Sequence, residues 1–171
     1  MNVLDQLNLG WRSPLPMMLQ TEASECGLAC LAMVMHFYGN AADLPNLRRR
    51  FGMSLKGATL KDVMRVADQV GLAPRPVRLE LEELTQLRTP SILHWDLNHF
   101  VVLAHIDGDA VTIHDPAIGL RKLTLVEVSR HFTGVALELS PTSRFESAEA
   151  PPRVRASQLL GKISGDRKSV V

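Results

Sequence analysis

The chain has 171 residues, 22% of them charged and 46% hydrophobic, and a formal net charge of +1 at pH 7. This length suits one ordinary domain with a tail, and the near-neutral charge argues against a nucleic-acid partner. The two cysteines, Cys26 and Cys30, are four residues apart where a helix is predicted. A disulfide at this spacing would distort the helical turn, so we expect free thiols and a reducing compartment.

The N-terminal half predicts three helices. Ser24 is the expected N-cap of a helix that runs to Tyr38 and stops at Gly39. Its apolar residues lie nearly all round the helix, so it should be buried at the centre of the domain. Two shorter helices are predicted over residues 44–51 and 60–70, each preceded by a capping side chain. None of these segments reaches the roughly 20 apolar residues that a bilayer span needs.

After Gly71 the hydrophobic spacing changes from helical to alternating. Prolines at 74 and 76 indicate an edge strand there. The order is therefore helices first and antiparallel sheet second, an α+β fold. Strands are predicted over 73–79, 91–95, 100–106, 110–115 and 134–139, with short helices over 81–87 and 124–132.

Composition divides the chain into a domain and a tail. Residues 1–140 form the predicted domain, and the Ser, Glu, Ala and Pro-rich residues 141–156 are typical of a linker. Residues 157–171 begin an amphipathic segment that has nothing in this chain to pack on. We therefore expect the natural protein to continue. No signal peptide is expected at its start.

Cys26 is placed in the first turn of the central helix. Unpaired backbone N–H groups and the helix dipole at this position favour a negatively charged thiolate, the form of cysteine that acts as a nucleophile. Gly27 carries no side chain beside the sulfur, which would let a substrate carbonyl approach. The alternative is that a small buried cysteine at a helix start only contributes to packing.

His99 and Asp115 are a candidate base and orienting acid. They are symmetric about residue 107, so a three-residue loop over 106–108 would set them directly opposite each other on one face of a hairpin. A two-residue loop over 107–108 would put them on opposite faces. Alternatively, His99 is a surface residue at a strand start and Asp115 a turn residue before Pro116.

Two further side chains are candidates for the same site. Gln20 lies six residues before Cys26, where its amide, together with the Cys26 backbone N–H, is a candidate oxyanion donor. Trp95, four residues before His99, is a candidate wall of a substrate slot, and core packing is the alternative. The remaining histidines, at 36, 94, 105, 114 and 131, have no partner implied by spacing and are interpreted as structural.

Three segments together resemble a known family. LQTEASECGLACLAM, then HFVVL, then a strand ending in HDP, are similar to the bacteriocin-processing cysteine peptidases. These are papain-like domains at the N-terminus of colicin V type peptidase-containing ABC transporters, and the resemblance covers Pro14 to Leu139. It implies Cys26 as nucleophile, His99 as base, Asp115 as orienting acid and Gln20 as oxyanion donor.

The resemblance also implies a function. A domain of this family removes the leader of a secreted peptide after a Gly-Gly or Gly-Ala motif, at the cytoplasmic face of the membrane and before export. Its partners would be the leader peptide and the transmembrane and nucleotide-binding domains of a transporter, which is expected to be a homodimer. The domain itself would need no cofactor, since ATP and magnesium belong to the nucleotide-binding domain.

Three other functions stay open. A domain with an intact but idle triad would dock the leader without cutting it. The same Cys, His and Asp set would also serve transfer of an acyl group to an amine. A metal site built from Cys26, Cys30, His99 and His114 lacks the paired CxxC or HxxxH spacing of known sites, so no metal is predicted.

Overall fold

The structure is a computed structural model that describes residues 14–52 and 57–147. Helices come first along these residues and a six-stranded antiparallel sheet comes second, which confirms the predicted α+β order. The helices are α1 (Cys26–Phe37), α2 (Leu44–Phe51), α3 (Leu60–Gln69) and α4 (Leu125–Ser129). The strands are β1 (Leu72–Arg78), β2 (Ser91–Trp95), β3 (His99–Asp107), β4 (Ala110–Asp115), β5 (Gly119–Thr124) and β6 (Phe132–Pro141).

The central helix is buried on all sides, as its composition predicts. Its first ten residues, Cys26 to Met35, are all buried. The helix begins at Cys26 rather than after a Ser24 cap, because residues 23–25 form a short 3-10 turn with Glu25 as the N-cap of α1. At the other end the chain leaves the helix through Gly39, whose φ of 94° is a left-handed conformation that suits glycine.

The next two helices begin at the predicted caps. The Asp43 carboxylate accepts a hydrogen bond of 2.8 Å from the Asn46 backbone N–H. Thr59 and Asp62 form a reciprocal capping box at the start of α3. Local sequence signals therefore place both helix starts correctly.

The strand order across the sheet is β1-β6-β2-β3-β4-β5. β1 lies at one edge, as its prolines predict. The opposite edge is β5, which is not among the strands predicted from the sequence. Its sequence, GLRKLT, alternates exposed and half-buried positions without a fully buried residue, so it lacks the apolar spacing of a core strand.

Two apolar clusters lie on the two faces of the sheet. One joins α1, α2 and α3 to residues such as Phe100 and Val102 on β3. The other joins α4 to Val101 and Leu103, the intervening residues of the same strand. This alternation is the period of two expected of a strand that is covered on both faces.

The first residues of the predicted linker pack against the domain. The Thr142 N–H donates to the Gly71 carbonyl at 2.9 Å, and the Phe145 ring lies 6.4 Å from the Tyr38 ring, centroid to centroid. Residues 148–156 of the predicted linker and the predicted amphipathic segment 157–171 lie outside the described residues. Within residues 14–52 and 57–147, no helix has the length and hydrophobicity that a membrane span requires.

The absent side chain of Gly27 is required for packing. A Cβ at this position would lie 2.7 Å from Val63 Cγ2 and 3.1 Å from Ala58 Cβ. The space is therefore filled by α3 and the segment before it. This corrects the expectation that Gly27 clears room for a substrate beside the sulfur.

Gly27→Ala should destabilise the domain by about 2 kcal/mol, because the added methyl overpacks the contact between α1 and α3. Urea unfolding of this variant, of Val63→Ala and of the double variant measures the effect. We expect the double variant to be more stable than the sum of the single losses predicts. Simple additivity would contradict the proposed contact.

Candidate active site

Cys26 is the first residue of α1 and its side chain is almost fully buried, at 2% exposure. Cys30, one turn further along, is completely buried, and both thiols are free. Burial, together with the charges of Cys26 and Asp115, raises the pKa of the Cys30 thiol well above its ordinary value. Cys30 is therefore a neutral packing residue, and Cys26 is the cysteine at the helix terminus.

His99 and Asp115 are hydrogen-bonded. His99 Nε2 lies 2.8 Å from Asp115 Oδ1, with His99 at the first position of β3 and Asp115 at the last position of β4. The structure therefore brings the predicted pair together. Cys26 also interacts with this ring, since its side chain is among the groups that raise the pKa of His99.

The register that joins them differs from the predicted one. The hairpin closes through a two-residue loop, residues 108 and 109, with Asp107 paired to Ala110. Continued without a shift, this pairing would place His99 and Asp115 on opposite faces. The prediction of a three-residue loop over 106–108 is therefore wrong.

A β-bulge restores the shared face. The pairing shifts by one residue between Leu103 and His105, so that Val102 lies opposite His114. Continuing this register places residue 117 opposite His99, and Asp115 is then two positions away on the same face. The extra residue in β3 thus reverses the effect of the two-residue loop, a use of bulges that is common beside active sites.

The Asp115 carboxylate has three partners. Oδ1 accepts hydrogen bonds from the His99 ring and, at 2.9 Å, from the Ala117 backbone N–H, and Oδ2 lies 3.5 Å from Arg121 Nη1. Burial opposes ionisation, but His99, the Ala117 N–H and Arg121 together lower the pKa of Asp115. Asp115 is therefore both a turn residue before Pro116 and the partner of the histidine. Arg121 lies on β5 and was missed with that strand.

The His99 ring is held in its charged form. Burial disfavours the charge, yet the hydrogen bonds to Asp115 and Cys26 outweigh it and raise the pKa of His99 from 6.5 to about 9. At neutral pH the ring is therefore an imidazolium between the Asp115 carboxylate and the Cys26 sulfur. This arrangement stabilises negative charge on a neighbouring sulfur.

Gln20 is tied to the loop after Asp115. Its backbone N–H donates to the Pro116 carbonyl at 2.8 Å. Its side-chain Oε1 is buried and has no hydrogen-bond partner within residues 14–52 and 57–147. The structure thus brings Gln20 to the end of the sheet that carries Asp115.

The Glu25 carboxylate organises the loop between Gln20 and Cys26. It is 2% exposed and accepts hydrogen bonds from the Thr21 N–H, the Thr21 hydroxyl, the Glu22 N–H and Arg48. Burial opposes the charge, but these donors lower the pKa of Glu25 from 4.5 to about 2. No pattern in the sequence predicts the pairing of Glu25 with Arg48, because no spacing rule links residues 23 positions apart.

Trp95 lies in the core and not in a substrate slot. Its side chain is 1% exposed and belongs to the apolar cluster that includes Val101 and Leu103. The Trp95 ring stacks on the His131 ring, with centroids 5.3 Å apart and planes 12° apart. The packing alternative therefore describes Trp95 better than the substrate-wall expectation.

The residues of the alternative metal site, Cys26, Cys30, His99 and His114, do not form a metal-binding group. His114 Nδ1 is occupied by the Pro16 carbonyl at 2.9 Å. Across the described ranges, no group of three or more His, Cys, Asp or Glu side chains is placed to hold a metal ion.

The fold is that of papain-like double-glycine peptidases. The structure is similar to a crystal structure of a double glycine motif protease from an AMS/PCAT transporter in complex with the leader peptide. That match has a TM-score of 0.71 and 38% identity over 78% of this chain and 96% of that one. The peptidase domain of Streptococcus ComA shares the fold, with a TM-score of 0.69 and 24% identity over 75% of this chain and 99% of that one.

Sequence comparison identifies the family. The model of the peptidase C39 family matches residues 15–144, and the chain therefore belongs to this family of cysteine peptidases. It is 45% identical to the Escherichia coli colicin V secretion/processing ATP-binding protein CvaB over 98% of this chain. It is 43% identical, over the same share, to the probable microcin-H47 secretion/processing protein MchF of Escherichia coli. The chain spans about a quarter of the length of these curated relatives, 24% in each case.

Asp115→Asn should lower the pKa of His99 from about 9 towards its ordinary value of 6.5, because the negative partner is lost. NMR titration of the histidine ring signals measures this pKa directly. Asp107→Asn is the matched control, since Asp107 is exposed at the far end of β3, the strand that begins with His99. An unchanged His99 pKa in Asp115→Asn would show that the 2.8 Å contact does not persist in solution.

Glu25→Gln should remove an acid-dependent part of the stability. Because folding lowers the Glu25 pKa from 4.5 to about 2, the charged carboxylate contributes above pH 4.5 and this contribution is lost as the pH falls towards 2. The shift corresponds to about 3 kcal/mol. Urea unfolding at pH 7 and at acid pH should show a smaller pH dependence in Glu25→Gln. Glu82→Gln, at an exposed position, is the control and should match the wild type.

Proposed function

We propose that this chain is the leader-peptidase domain of a peptide exporter and that it cleaves after a Gly-Gly or Gly-Ala motif. The observation that carries the proposal is the hydrogen-bonded His99 and Asp115 pair beside Cys26, in a chain of the peptidase C39 family. The similar double glycine motif protease was crystallised with its leader peptide, which supports the same substrate class.

The proposed nucleophile is the Cys26 thiolate. In the proposed resting state the thiol proton has already passed to His99, and Asp115 orients the ring and stabilises its charge. The sulfur then attacks the carbonyl carbon of the last leader residue, which forms a C–S bond and places negative charge on the carbonyl oxygen. The donors proposed for this oxyanion are the Cys26 backbone N–H and the Gln20 side-chain amide nitrogen.

Collapse of the tetrahedral intermediate breaks the C–N bond. His99 donates its proton to the leaving amine, which becomes the new N-terminus of the cargo, and the leader remains as a thioester on Cys26. A water molecule, deprotonated by His99, attacks the thioester carbonyl and releases the leader as a carboxylic acid. The sulfur leaves as a thiolate and His99 keeps the proton from water, which restores the starting state, so the cycle closes without a cofactor in this domain.

The proposed partners are inferred from the relatives. CvaB and MchF are secretion/processing ATP-binding proteins, and LagD of Lactococcus lactis is a lactococcin-G-processing and transport protein. We infer that the chain works with transmembrane and nucleotide-binding domains, as part of a homodimeric transporter, at the cytoplasmic face of the bacterial inner membrane. ATP and magnesium would act in the nucleotide-binding domain.

The test uses a synthetic peptide with an amphipathic leader, Gly-Gly and a short cargo, analysed by mass spectrometry. We expect scission after the second glycine, and loss of scission in Cys26→Ala. Cys30→Ala is the matched control, because Cys30 is a second free cysteine four residues away, and this variant should still cut.

Three outcomes separate the functions. Peptide binding without scission by the wild-type chain would favour an idle leader-docking domain. A product carrying an added amine, when an amine is supplied, would favour acyl transfer. Scission that persists in Cys26→Ala would overturn the assignment of the nucleophile.

A further inference from the structure

The turn that precedes His99 has a strained backbone. Residues 96–98 connect β2 to β3, and both Asp96 (φ 49°) and Leu97 (φ 67°) adopt the left-handed conformation. Residues with a side chain rarely adopt it, and two in succession require support from their surroundings. Glycine or asparagine would occupy these positions with less strain, so the turn depends on contacts that hold it.

His131 supplies these contacts. Its backbone carbonyl accepts a hydrogen bond from the Asp96 N–H at 2.9 Å, and its Nδ1 lies 2.7 Å from Asp96 Oδ1. The His131 ring also stacks on Trp95, the last residue of β2. One residue thus holds the turn through its main chain, its ring nitrogen and its ring face.

The contacts are placed to act locally. The Asp96 side chain is 50% exposed and that of His131 is 35% exposed, and polar contacts at such positions add little to the stability of a whole domain. A strained turn is different, because a small local preference decides its conformation. The effect of His131 should therefore appear in the turn and at the first residue of β3.

The first residue of β3 is His99. It pairs directly with Trp95 in the ladder between β2 and β3, so the turn and the stacked tryptophan fix the start of the strand. The bond between His99 Nε2 and Asp115 Oδ1 is 2.8 Å long and tolerates little displacement. Any relaxation of residues 96–98 would move the ring relative to both of its partners.

We propose that His131 is a positioning residue for His99. By holding Asp96 and stacking on Trp95, it keeps the turn left-handed and sets the His99 ring between Cys26 and Asp115. Its catalytic consequence rests on the proposed peptidase function. The effect of His131 on the His99 ring does not rest on that function, and the His99 pKa measures this effect separately.

The test compares the full chain with His131→Ala in two measurements. NMR titration should show the His99 pKa falling from its wild-type value in His131→Ala, since the partners of the ring are less well placed. With the leader peptide, kcat should fall roughly ten- to a hundredfold while KM changes less than about twofold, as expected for misplacement of a reacting group.

Two variants test the mechanism of the effect. His131→Asn keeps a side-chain N–H near Asp96 but not the stacking, and should recover part of the lost kcat. Leu97→Gly relieves the left-handed strain and should raise kcat in the His131→Ala background more than in the wild type. His105→Ala is the control, because His105 is an exposed histidine on β3, and it should behave as wild type.

The outcomes distinguish the possible roles. A lower His99 pKa in His131→Ala supports the proposal even if the wild-type chain cuts no peptide, in which case only the proposed function fails. A lower melting temperature with an unchanged His99 pKa and unchanged kcat would overturn it in favour of a structural role. A lower kcat with an unchanged His99 pKa would overturn it in favour of a direct contact with substrate.

Discussion

The close contact between Gly27 and Val63 constrains the rotation of α1 about its own axis. A helix that is apolar all round has no polar face to fix its orientation, because every rotation buries similar side chains. Only the position without a Cβ lets α3 approach this closely. Since Cys26 is the neighbour of Gly27, the same contact that packs the helix also sets the direction in which the sulfur points.

The site includes two buried carboxylates, Glu25 and Asp115, and each has its own arginine. Asp115 lies between His99 and Arg121, while Glu25 is bound by Arg48 and by backbone N–H groups. An unpaired buried carboxylate would take up a proton, so these partners keep both groups charged. The site therefore combines a fixed negative charge beside the histidine with a rigid loop before the cysteine.

Local signals in the sequence predict much of this architecture. The caps of α2 and α3, the buried α1, the edge position of β1 and the α+β order all arise from short-range patterns. The site residues other than Trp95 and Gly27 also lie where one end of the sheet meets the start of α1. Local patterns do not contain the bulge near Ala104, since one extra residue in a strand leaves no mark in apolar alternation.

The remaining errors have the same origin. The strand β5 has no buried face, so alternation does not reveal it. Glu25 is bound by Arg48, and the fold that brings these two residues together cannot be predicted from their spacing in the sequence. Gly27 and Trp95 were assigned to a substrate because their neighbours in sequence are site residues, whereas their neighbours in space are α3 and His131.

The contacts of residues 142–146 fix the side of the domain from which the chain departs after β6. Phe145 and Glu146 lie against Tyr38 and Asn40, beyond the C-terminal end of α1, while Cys26 is at its N-terminal end. The 12 residues of α1 separate these ends by roughly 18 Å. In the transporter proposed above, a domain that follows this segment would therefore be attached near the C-terminal end of α1, at the opposite end of the helix from Cys26.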